Sequence, residues 1–187
     1  MRALVTGGCG FIGSNLTREL YKNGWKVDIV DDMSNGHLHF LGNIKTRCLP
    51  SAGFLKHYND IHKTSIVDEV LVIQDDFASL NMLKYINDGN YDVIFHCAAN
   101  PRVEYSVQNP VETTDDNVYK TVKLYTAAIN KVKRIVFSSS CSVYGASKTT
   151  RFLDENSKTN PQTGYSLNKL QIEGDLEAIA TENFFPI

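Results

Sequence analysis

The stretch TGYSLNK places a tyrosine and a lysine, Tyr165 and Lys169, four residues apart. In a helix this spacing brings both side chains onto one face, one turn apart. A free tyrosine has a pKa of about 10, and a neighbouring ammonium lowers that pKa because it favours the phenolate. The pair could then take a proton from a substrate alcohol while hydride leaves the same carbon. The spacing is also common by chance, so the alternative is an ordinary pair on a helix surface.

A run of serines precedes this pair, in SSSCSVYG from Ser138 to Gly145. It follows a predicted strand, and in a parallel α/β sheet ligands bind beyond the carboxyl ends of the strands. The hydroxyl of Ser140 could hold the substrate oxygen there. The alternative is a polar loop, since serine is common in loops.

Three glycines, Gly7, Gly10 and Gly13, lie between the first predicted strand and the first predicted helix. Glycine in such a turn lets the main chain approach a pyrophosphate, which the helix N-terminus then binds. The spacing is GxxGxxG rather than the GxGxxG of the dehydrogenase fingerprint. The second predicted strand ends in Asp31 and Asp32, where a carboxylate would bind a ribose and repel a 2′-phosphate. Loop and acid together predict NAD rather than NADP, although two aspartates can also simply open a turn.

Strand and helix signals alternate about five times along the chain, which predicts a parallel sheet with helices on both faces. The predicted strands are RALVTGG, WKVDIVDD, VLVIQDD, YDVIFHCAAN and KRIVFSSSCSVYG. The predicted helices include SLNMLKYINDG, with Ser79 as its cap, and VETTDDNVYKTVKLYTAAINK. Residues 37–69 are harder to assign, and a helix is predicted within GFLKHYNDIHKTSIVDEV. The fold class is α/β, a doubly wound sheet in one domain over residues 1–187 that ends after about five strands.

The composition is that of an ordinary globular protein, with 187 residues, 42% hydrophobic, 21% charged and a net charge of −2. This charge gives no reason to expect nucleic acid or a membrane surface as a partner, and no apolar run is long enough to cross a bilayer. The cysteines are scattered, without metal-ligand spacing or the density of a disulfide scaffold. We therefore expect no bound metal and a reducing, cytoplasmic location. The four cysteines are Cys9, Cys48, Cys97 and Cys141.

Seven segments, in order along nearly the whole chain, resemble the extended short-chain dehydrogenases/reductases, specifically the NAD-dependent epimerase/dehydratase family that acts on nucleotide sugars. They are VTGGCGFIGSNL, DIVDDMSNG, QDDFAS, HCAAN, SVQNPVETTDDNV, FSSSCSVYG and YSLNK. The resemblance is nearest to UDP-glucose/galactose 4-epimerase-like proteins. It implies a Rossmann-like NAD-binding domain.

The resemblance also implies a role for each matching residue. Ser140, Tyr165 and Lys169 would be the catalytic set. The pyrophosphate of the cofactor would contact Gly7, Gly10, Phe11, Ile12 and Gly13, and the adenosine ribose would contact Asp31, Asp32, Ser34, Asn35 and Gly36. The adenine would contact Asp75 and Asp76. The remainder of the cofactor would lie along Cys97, Ala98, Ala99, Asn117, Ser138, Tyr165 and Lys169.

The activity implied by the resemblance is that of an NAD-dependent nucleotide-sugar 4-epimerase, an isomerase that transiently oxidises C4 with Tyr165 as base. A UDP-sugar is the favoured substrate. Related dehydratases usually carry Asp-Glu after the catalytic serine, where this chain has Cys141 and Ser142, so dehydration is disfavoured. Family members are usually much longer, and we expect their C-terminal substrate-binding domain to be absent after Ile187. A non-catalytic NAD-binding module and a nucleotide-sugar oxidoreductase or dehydratase remain alternatives.

Family members often dimerise, which implies a homodimer through the helices around Asn117–Lys131 and Tyr165–Thr181. The apolar stripe expected at this interface consists of Leu124, Ala127, Ala128 and Leu170. Burial of the same residues against the sheet would explain them equally well.

Overall fold

The computed structural model describes residues 1–50, 69–146 and 152–183. Its strands are β1 (Arg2–Thr6), β2 (Lys26–Asp31), β3 (Thr46–Pro50), β4 (Val70–Gln74), β5 (Val93–His96) and β6 (Arg134–Phe137). Its helices are α1 (Phe11–Lys22), α2 (Leu80–Asn87), α3 (Val103–Gln108), α4 (Pro110–Thr114), α5 (Lys120–Ala128) and α6 (Gly164–Asn183). The helix predicted within residues 53–70 lies outside the described residues except for its last two positions, where Val70 begins β4.

The six strands form one parallel sheet in the order β3-β4-β2-β1-β5-β6. The chain builds outward from β1 through β2 and then returns to add β5 and β6 on the other side of β1, as in a Rossmann-like sheet. The predicted fold class is confirmed, and the sheet has six strands against the predicted five or so because β3 was not predicted. The β3 sequence, TRCLP, is a short edge strand that lacks a long apolar run and contains a proline.

Each face of the sheet buries its own apolar core, as expected for a parallel sheet covered on both sides. Successive residues of β1 point to opposite faces. Ala3 and Val5 pack toward α1, whereas Leu4 packs toward α2, α5 and α6. The first core continues through Ile29, Val72, Leu20 and Leu41, and the second through Ile73, Ile94, Met82, Leu124, Ile135 and Ile172.

The long helix predicted after Asn109 is present, but it is interrupted. It begins at Pro110, where the missing N–H of proline is tolerated, and it runs through α4 and α5 to Ala128. Between these two helices, Asp115–Tyr119 forms a π-helical segment that carries the buried Asn117. Such segments often mark functional sites. At α2 the predicted cap is confirmed, because the Ser79 hydroxyl accepts a hydrogen bond from the main chain of the first turn.

Candidate functional site

The glycine turn joins β1 to α1 and lines a groove along the carboxyl edge of the sheet. Gly7 has a φ of +66°, a left-handed conformation that glycine adopts readily. A Cβ at Gly7 would lie 2.8 Å from the main chain of Ala98, and a Cβ at Gly13 would overlap the Gly7 carbonyl. The turn therefore packs main chain against main chain directly beneath the groove. The first N–H groups of α1 have no partner within the helix, so this cradle fits a pyrophosphate.

Asp31 and Asp32 follow each other at the end of β2 but differ in their surroundings. Asp31 is 7% exposed, and its two oxygens accept the N–H groups of Cys9 and Met33, each at 2.9 Å. Burial raises the pKa of Asp31, and these two hydrogen bonds partly oppose the rise. A carboxylate has about four acceptor positions, so Asp31 can still accept from ribose hydroxyls. Asp32 is exposed and accepts from the N–H and hydroxyl of Ser34, which is the turn-forming role offered above as the alternative.

The groove has a volume of about 380 Å³. It brings together twelve of the predicted cofactor residues, namely Gly7, Gly10, Asp31, Asp32, Ser34, Asn35, Gly36, Asp75, Asp76, Cys97, Ala98 and Ala99. The prediction missed seven others in its lining, namely Val30, Phe77, Asn100, Arg102, Tyr105, Asp116 and Lys120. The two basic residues among them, Arg102 and Lys120, belong to no local motif that sequence reasoning could have used.

An ion cluster forms the wall of the groove at the end of β4. The Nζ of Lys120 lies 2.8 Å from a carboxylate oxygen of Asp76 and 2.7 Å from one of Asp116. Burial disfavours the charge on Lys120, but its hydrogen bonds to Asp116 and Asp76 outweigh that effect and raise its pKa. Asp75 accepts the N–H of Asp76 and the hydroxyl of Ser79, both at 2.8 Å. The Asp75 carboxylate therefore stabilises the turn that begins α2 and also lines the groove.

Lys169 lies on α6, and the predicted placement of Tyr165 and Lys169 on one helix is confirmed. Lys169 is 3% exposed, and its Nζ donates to the Ser138 carbonyl at 2.8 Å and lies 5.9 Å from the Tyr165 ring centroid. Burial lowers the pKa of Lys169 to about 8, although Cys97 and Glu173 act in the opposite direction. The lysine is therefore a buried cation that loses its charge in mildly alkaline solution.

The expected lowering of the Tyr165 pKa is wrong for this structure. Burial raises the pKa of the Tyr165 phenol, and the Cys141 thiol adds to the rise, whereas a hydrogen bond with Ser140 opposes it. The partner that stabilises the phenolate is thus the serine hydroxyl of the predicted set. Desolvation outweighs it because the Tyr165 side chain is half-buried.

The first turn of α6 is fixed by two sets of hydroxyl contacts. Thr163 and Ser166 form a reciprocal cap, in which the Ser166 N–H donates to the Thr163 hydroxyl at 3.2 Å and the Thr163 N–H donates to the Ser166 hydroxyl at 3.0 Å. Ser106 of α3 accepts the Tyr165 N–H at 3.3 Å and donates to the Val103 carbonyl at 2.6 Å. The main chain that carries the phenol is therefore anchored to a different helix.

A buried histidine connects the glycine strand to α5. The Thr6 hydroxyl accepts the Ala98 N–H at 3.2 Å and is hydrogen-bonded to Nδ1 of His96 at 2.6 Å. Nε2 is hydrogen-bonded to the Thr121 hydroxyl at 2.9 Å, so both ring nitrogens of the neutral imidazole have a hydroxyl partner, one as donor and one as acceptor. Burial, with a smaller contribution from Lys169, lowers the pKa of His96 to about 3. This histidine is a neutral structural link and not a proton carrier near neutral pH.

The catalytic candidates and the groove meet at Cys97. The Ser138 hydroxyl donates toward the Cys97 sulfur at 3.5 Å, and Cys97 lines the groove. Because Lys169 is hydrogen-bonded to the Ser138 carbonyl, the lysine lies next to the part of the groove lining formed by Cys97. Lys169 is thus connected to the groove lining through Ser138, and the catalytic roles of Ser140, Tyr165 and Lys169 stay predictions.

Sequence comparison relates the chain to a known protein family. Residues 3–187 match the family described as "NAD dependent epimerase/dehydratase family". The chain belongs to the epimerase/dehydratase family. It is 32% identical over 174 residues to a UDP-glucose 4-epimerase of Lactobacillus helveticus, an alignment covering 92% of this chain and 45% of that protein.

Solved structures agree with this assignment to the epimerase/dehydratase family. A UDP-glucose 4-epimerase of Thermotoga maritima with UDP-glucose superposes with a TM-score of 0.79 at 26% identity, covering 99% of this chain and 53% of that one. The Bifidobacterium longum UDP-glucose 4-epimerase with NAD⁺ and UDP gives 0.76 at 28% identity, covering 98% and 50%. The chain spans about half the length of the relatives it matches.

Two positions after the serine bear on which reaction of the epimerase/dehydratase family this chain can support. The family resemblance places Cys141 and Ser142 where related dehydratases carry an Asp-Glu pair. Ser142 uses its N–H and its hydroxyl to donate to the Ser140 hydroxyl oxygen, at 3.2 and 2.9 Å. These contacts orient the Ser140 side chain, and neither residue offers a carboxylate.

The cofactor role that the family resemblance assigns to Asn117 stays a prediction. Its Oδ1 accepts the Asn100 N–H at 2.7 Å, and its Nδ2 donates to the Asn100 carbonyl at 3.2 Å. Asn117 therefore holds the loop after β5 and does not line the groove. Also outside the lining are Phe11, Ile12, Gly13, Ser138, Tyr165 and Lys169, whose cofactor contacts likewise stay predictions.

The described part of the chain offers neither a metal cluster nor a membrane-spanning helix. Among residues 1–50, 69–146 and 152–183, no group of three or more histidine, cysteine or acidic residues is arranged to hold a metal ion. Within the same ranges, no helix has the length and apolarity needed to span a membrane.

Proposed function

We propose that this chain carries the NAD-binding and proton-transfer parts of an NAD-dependent nucleotide-sugar 4-epimerase. The observation that supports this most is that Lys169, which shares a helix with Tyr165, is hydrogen-bonded to Ser138, whose hydroxyl contacts Cys97 of the groove lining, while Tyr165 is hydrogen-bonded with Ser140. A glycine cradle alone would fit many dinucleotide-binding proteins. The added phenol, hydroxyl and buried ammonium are the groups that alcohol oxidation requires.

The cofactor residues fit NAD. Gly7 and Gly10 would hold the pyrophosphate, Asp31 the adenosine ribose, and the wall at Asp75 and Asp76 the adenine. When bound, NAD supplies the hydride acceptor and donor for transient oxidation at C4 of the sugar. The carboxylate of Asp31 disfavours the 2′-phosphate of NADP.

The protein residues would handle the proton and the oxygen. Ser140 donates a hydrogen bond to the sugar oxygen, and Tyr165 takes the hydroxyl proton and later returns it. The Lys169 ammonium supplies positive charge behind the phenol, at the end of the groove. Because burial raises the Tyr165 pKa, the rate should increase as the pH rises from 7. Loss of the Lys169 charge near pH 8 should limit that increase.

The substrate we propose is a UDP-sugar, since the relatives named above are UDP-glucose 4-epimerases. Dehydration is disfavoured because Cys141 and Ser142 lack the carboxylates that would carry its protons. Which sugar is selected would depend on the half of the relatives' length that this chain does not span. The cytoplasmic location stays a prediction.

The test is a comparison of Tyr165→Phe with Tyr119→Phe. The first change removes the proposed base, and the second removes a hydroxyl from an exposed ring on the π segment. We expect both variants to bind NAD in calorimetry. We expect only Tyr165→Phe to lose interconversion of UDP-glucose and UDP-galactose, by about 10²–10⁴-fold in a chain as long as the relatives. Equal rates in the two variants would refute Tyr165 as the base.

The second candidate is a non-catalytic NAD-binding module, which needs only the glycine turn and the groove. It predicts NAD binding with no reduction of the cofactor by any nucleotide sugar. The chain mixed with NAD and a UDP-sugar would separate the two functions, because NADH fluorescence would exclude the passive module.

A homodimer also remains a proposal, with a revised surface. Leu124 and Ala128 are fully buried in the core, so the burial alternative accounts for these two members of the predicted stripe. Exposed apolar side chains on α6 and on the neighbouring helices α3 and α4 include Leu167, Val107 and Val111. Analytical ultracentrifugation of wild type and Val111→Asp would test this surface, and a monomeric wild type at micromolar concentration would contradict it.

A further inference from the structure

One hydrogen bond joins the two walls of the groove. The Arg102 guanidinium donates through Nη2 to Oδ1 of Asn35 at 2.6 Å, across 67 positions of sequence. Asn35 lies in the loop after β2, and Arg102 lies in the loop after β5. These strands flank β1 in the sheet, so the bond passes over the glycine turn between them. Both residues line the groove.

The charge balance of the lining gives Arg102 a distinct position. Five carboxylates line the groove, at Asp31, Asp32, Asp75, Asp76 and Asp116, against two cations. One cation, Lys120, is held between Asp76 and Asp116. Within the described ranges, Arg102 forms no ion pair of 4 Å or less with a carboxylate, and its side chain is exposed. Its charge therefore remains available to an anion in a groove that is otherwise acidic.

We infer that Arg102 is a cationic clamp for the pyrophosphate of the bound dinucleotide. Asn35 holds the guanidinium over the glycine turn, and a phosphate oxygen replaces the Asn35 amide oxygen when the dinucleotide binds. The planar guanidinium can bind two phosphate oxygens at once, which a lysine cannot. This inference rests on the proposed binding of NAD.

A 2′-phosphate on the adenosine ribose is the other anion that an arginine near β2 could bind. The buried carboxylate of Asp31 disfavours it, because the two negative groups would share one end of the groove. Ligands that differ in these groups can show whether Arg102 binds the pyrophosphate or the 2′-phosphate. ADP and NAD carry the pyrophosphate alone, and NADP carries both groups.

The experiment is calorimetric titration of wild type, Arg102→Ala, Arg102→Lys and Arg18→Ala with NAD, ADP and NADP. Arg18 is a matched control because it is exposed on α1, outside the groove lining, and donates to the Phe40 carbonyl. We expect Arg102→Ala to weaken NAD and ADP alike, by about 10- to 100-fold, the range of one charge-assisted hydrogen bond. Arg102→Lys should recover part of this loss, and Arg18→Ala should change affinity by less than about twofold. Circular dichroism would verify that each variant is folded.

Each result bears on the clamp separately from the proposed function. NAD affinity that is unchanged in Arg102→Ala, or a loss confined to NADP, would overturn the clamp and leave NAD binding intact. Arg102-dependent binding of ADP without any binding of NAD would support the clamp and refute the proposed function. A wild type that binds neither NAD nor ADP would refute both.

Discussion

At the glycine end of the groove the main chain makes the site, whereas at the Tyr165 end buried side chains make it. The glycine end packs Gly7 against Ala98, and its one buried acid is satisfied by main-chain N–H groups. The other end holds a lysine whose pKa burial lowers to about 8, and His96, which links β1 to α5 between the two ends, has a pKa that burial lowers to about 3. One end is thus specified by shape and the other by desolvated charge.

This difference predicts that the two ends respond to different perturbations. A site made by close main-chain packing is sensitive to added atoms and insensitive to pH. A site made by buried ionisable groups destabilises the fold at some pH values, because their charged forms are disfavoured. Removing a buried charge at the Tyr165 end should therefore raise the free energy of unfolding and lower activity. Adding atoms at the glycine end should lower both.

The largest effect should come from acid titration of His96. In the unfolded chain this histidine protonates near pH 6.5, but in the fold it stays neutral down to about pH 3. The unfolded state then binds more protons, so stability falls as the pH drops through this window, by about 5 kcal/mol in total. Urea unfolding at pH 7 and pH 4 would measure it.

The matched variants are His96→Gln and His39→Gln, the second at an exposed histidine. We expect His96→Gln to lose about 3 kcal/mol less than wild type between pH 7 and pH 4, and His39→Gln to behave as wild type. Identical pH dependence in all three proteins would show that other groups, such as Asp92 with its lowered pKa, dominate the acid response.

The next largest effect should come from added atoms in the close main-chain packing at the glycine end. Gly13→Ala would place a Cβ 2.8 Å from the Gly8 Cα and in overlap with the Gly7 carbonyl, so we expect a loss of about 3 kcal/mol together with NAD binding. Gly174→Ala is the control, since Gly174 lies within α6 with nothing within 4 Å of its added Cβ. It should raise the free energy of unfolding by up to about 1 kcal/mol. Equal effects of the two changes in thermal unfolding would contradict the cradle.

The smallest effect has the opposite sign. At pH 7 the buried Lys169 charge costs about 3 kcal/mol relative to the unfolded chain, whose lysine stays charged to about pH 10.5. Lys169→Met removes this term and loses the hydrogen bond to Ser138, worth about 1 kcal/mol, so a net gain of about 1–2 kcal/mol is expected. Activity should be lost at the same time.

The pH dependence gives an independent check on Lys169. Wild-type stability should rise between pH 8 and pH 10.5, where only the unfolded chain still holds the proton, and Lys169→Met should lack this rise. Lys45→Met, at an exposed lysine, should retain it. A destabilised Lys169→Met with an unchanged alkaline profile would mean that the lysine is not held in its charged form against burial.

The sequence was sufficient to predict what local patterns encode. The glycine turn, β2 with Asp31 at its end, the Ser79 cap and the α6 pair all follow from spacing within a few residues. The parallel sheet covered by helices on both faces followed from the alternation of strand and helix signals, and the Rossmann-like fold followed from the family resemblance.

The remaining features depend on contacts between distant segments. Arg102 reaches Asn35 and Lys120 reaches Asp76 only after the sheet has formed, so no window of sequence contains either pair. The Tyr165 pKa was predicted in the wrong direction because a helical spacing reports proximity to Lys169 but not the burial of the ring. β3 was missed because TRCLP carries no periodic apolar signal.

The π-helical segment at Asp115–Tyr119 has a consequence for how this region tolerates change. Such a segment amounts to one residue inserted into an α-helix, so deleting one residue there would restore regular winding without moving the flanking turns around the helix axis. Leu124 could then keep its place in the core, while Asn117 would lose the position from which it grips the Asn100 main chain. A single-residue deletion at this point would therefore weaken the attachment of the loop after β5 and leave the apolar core around Leu124 intact.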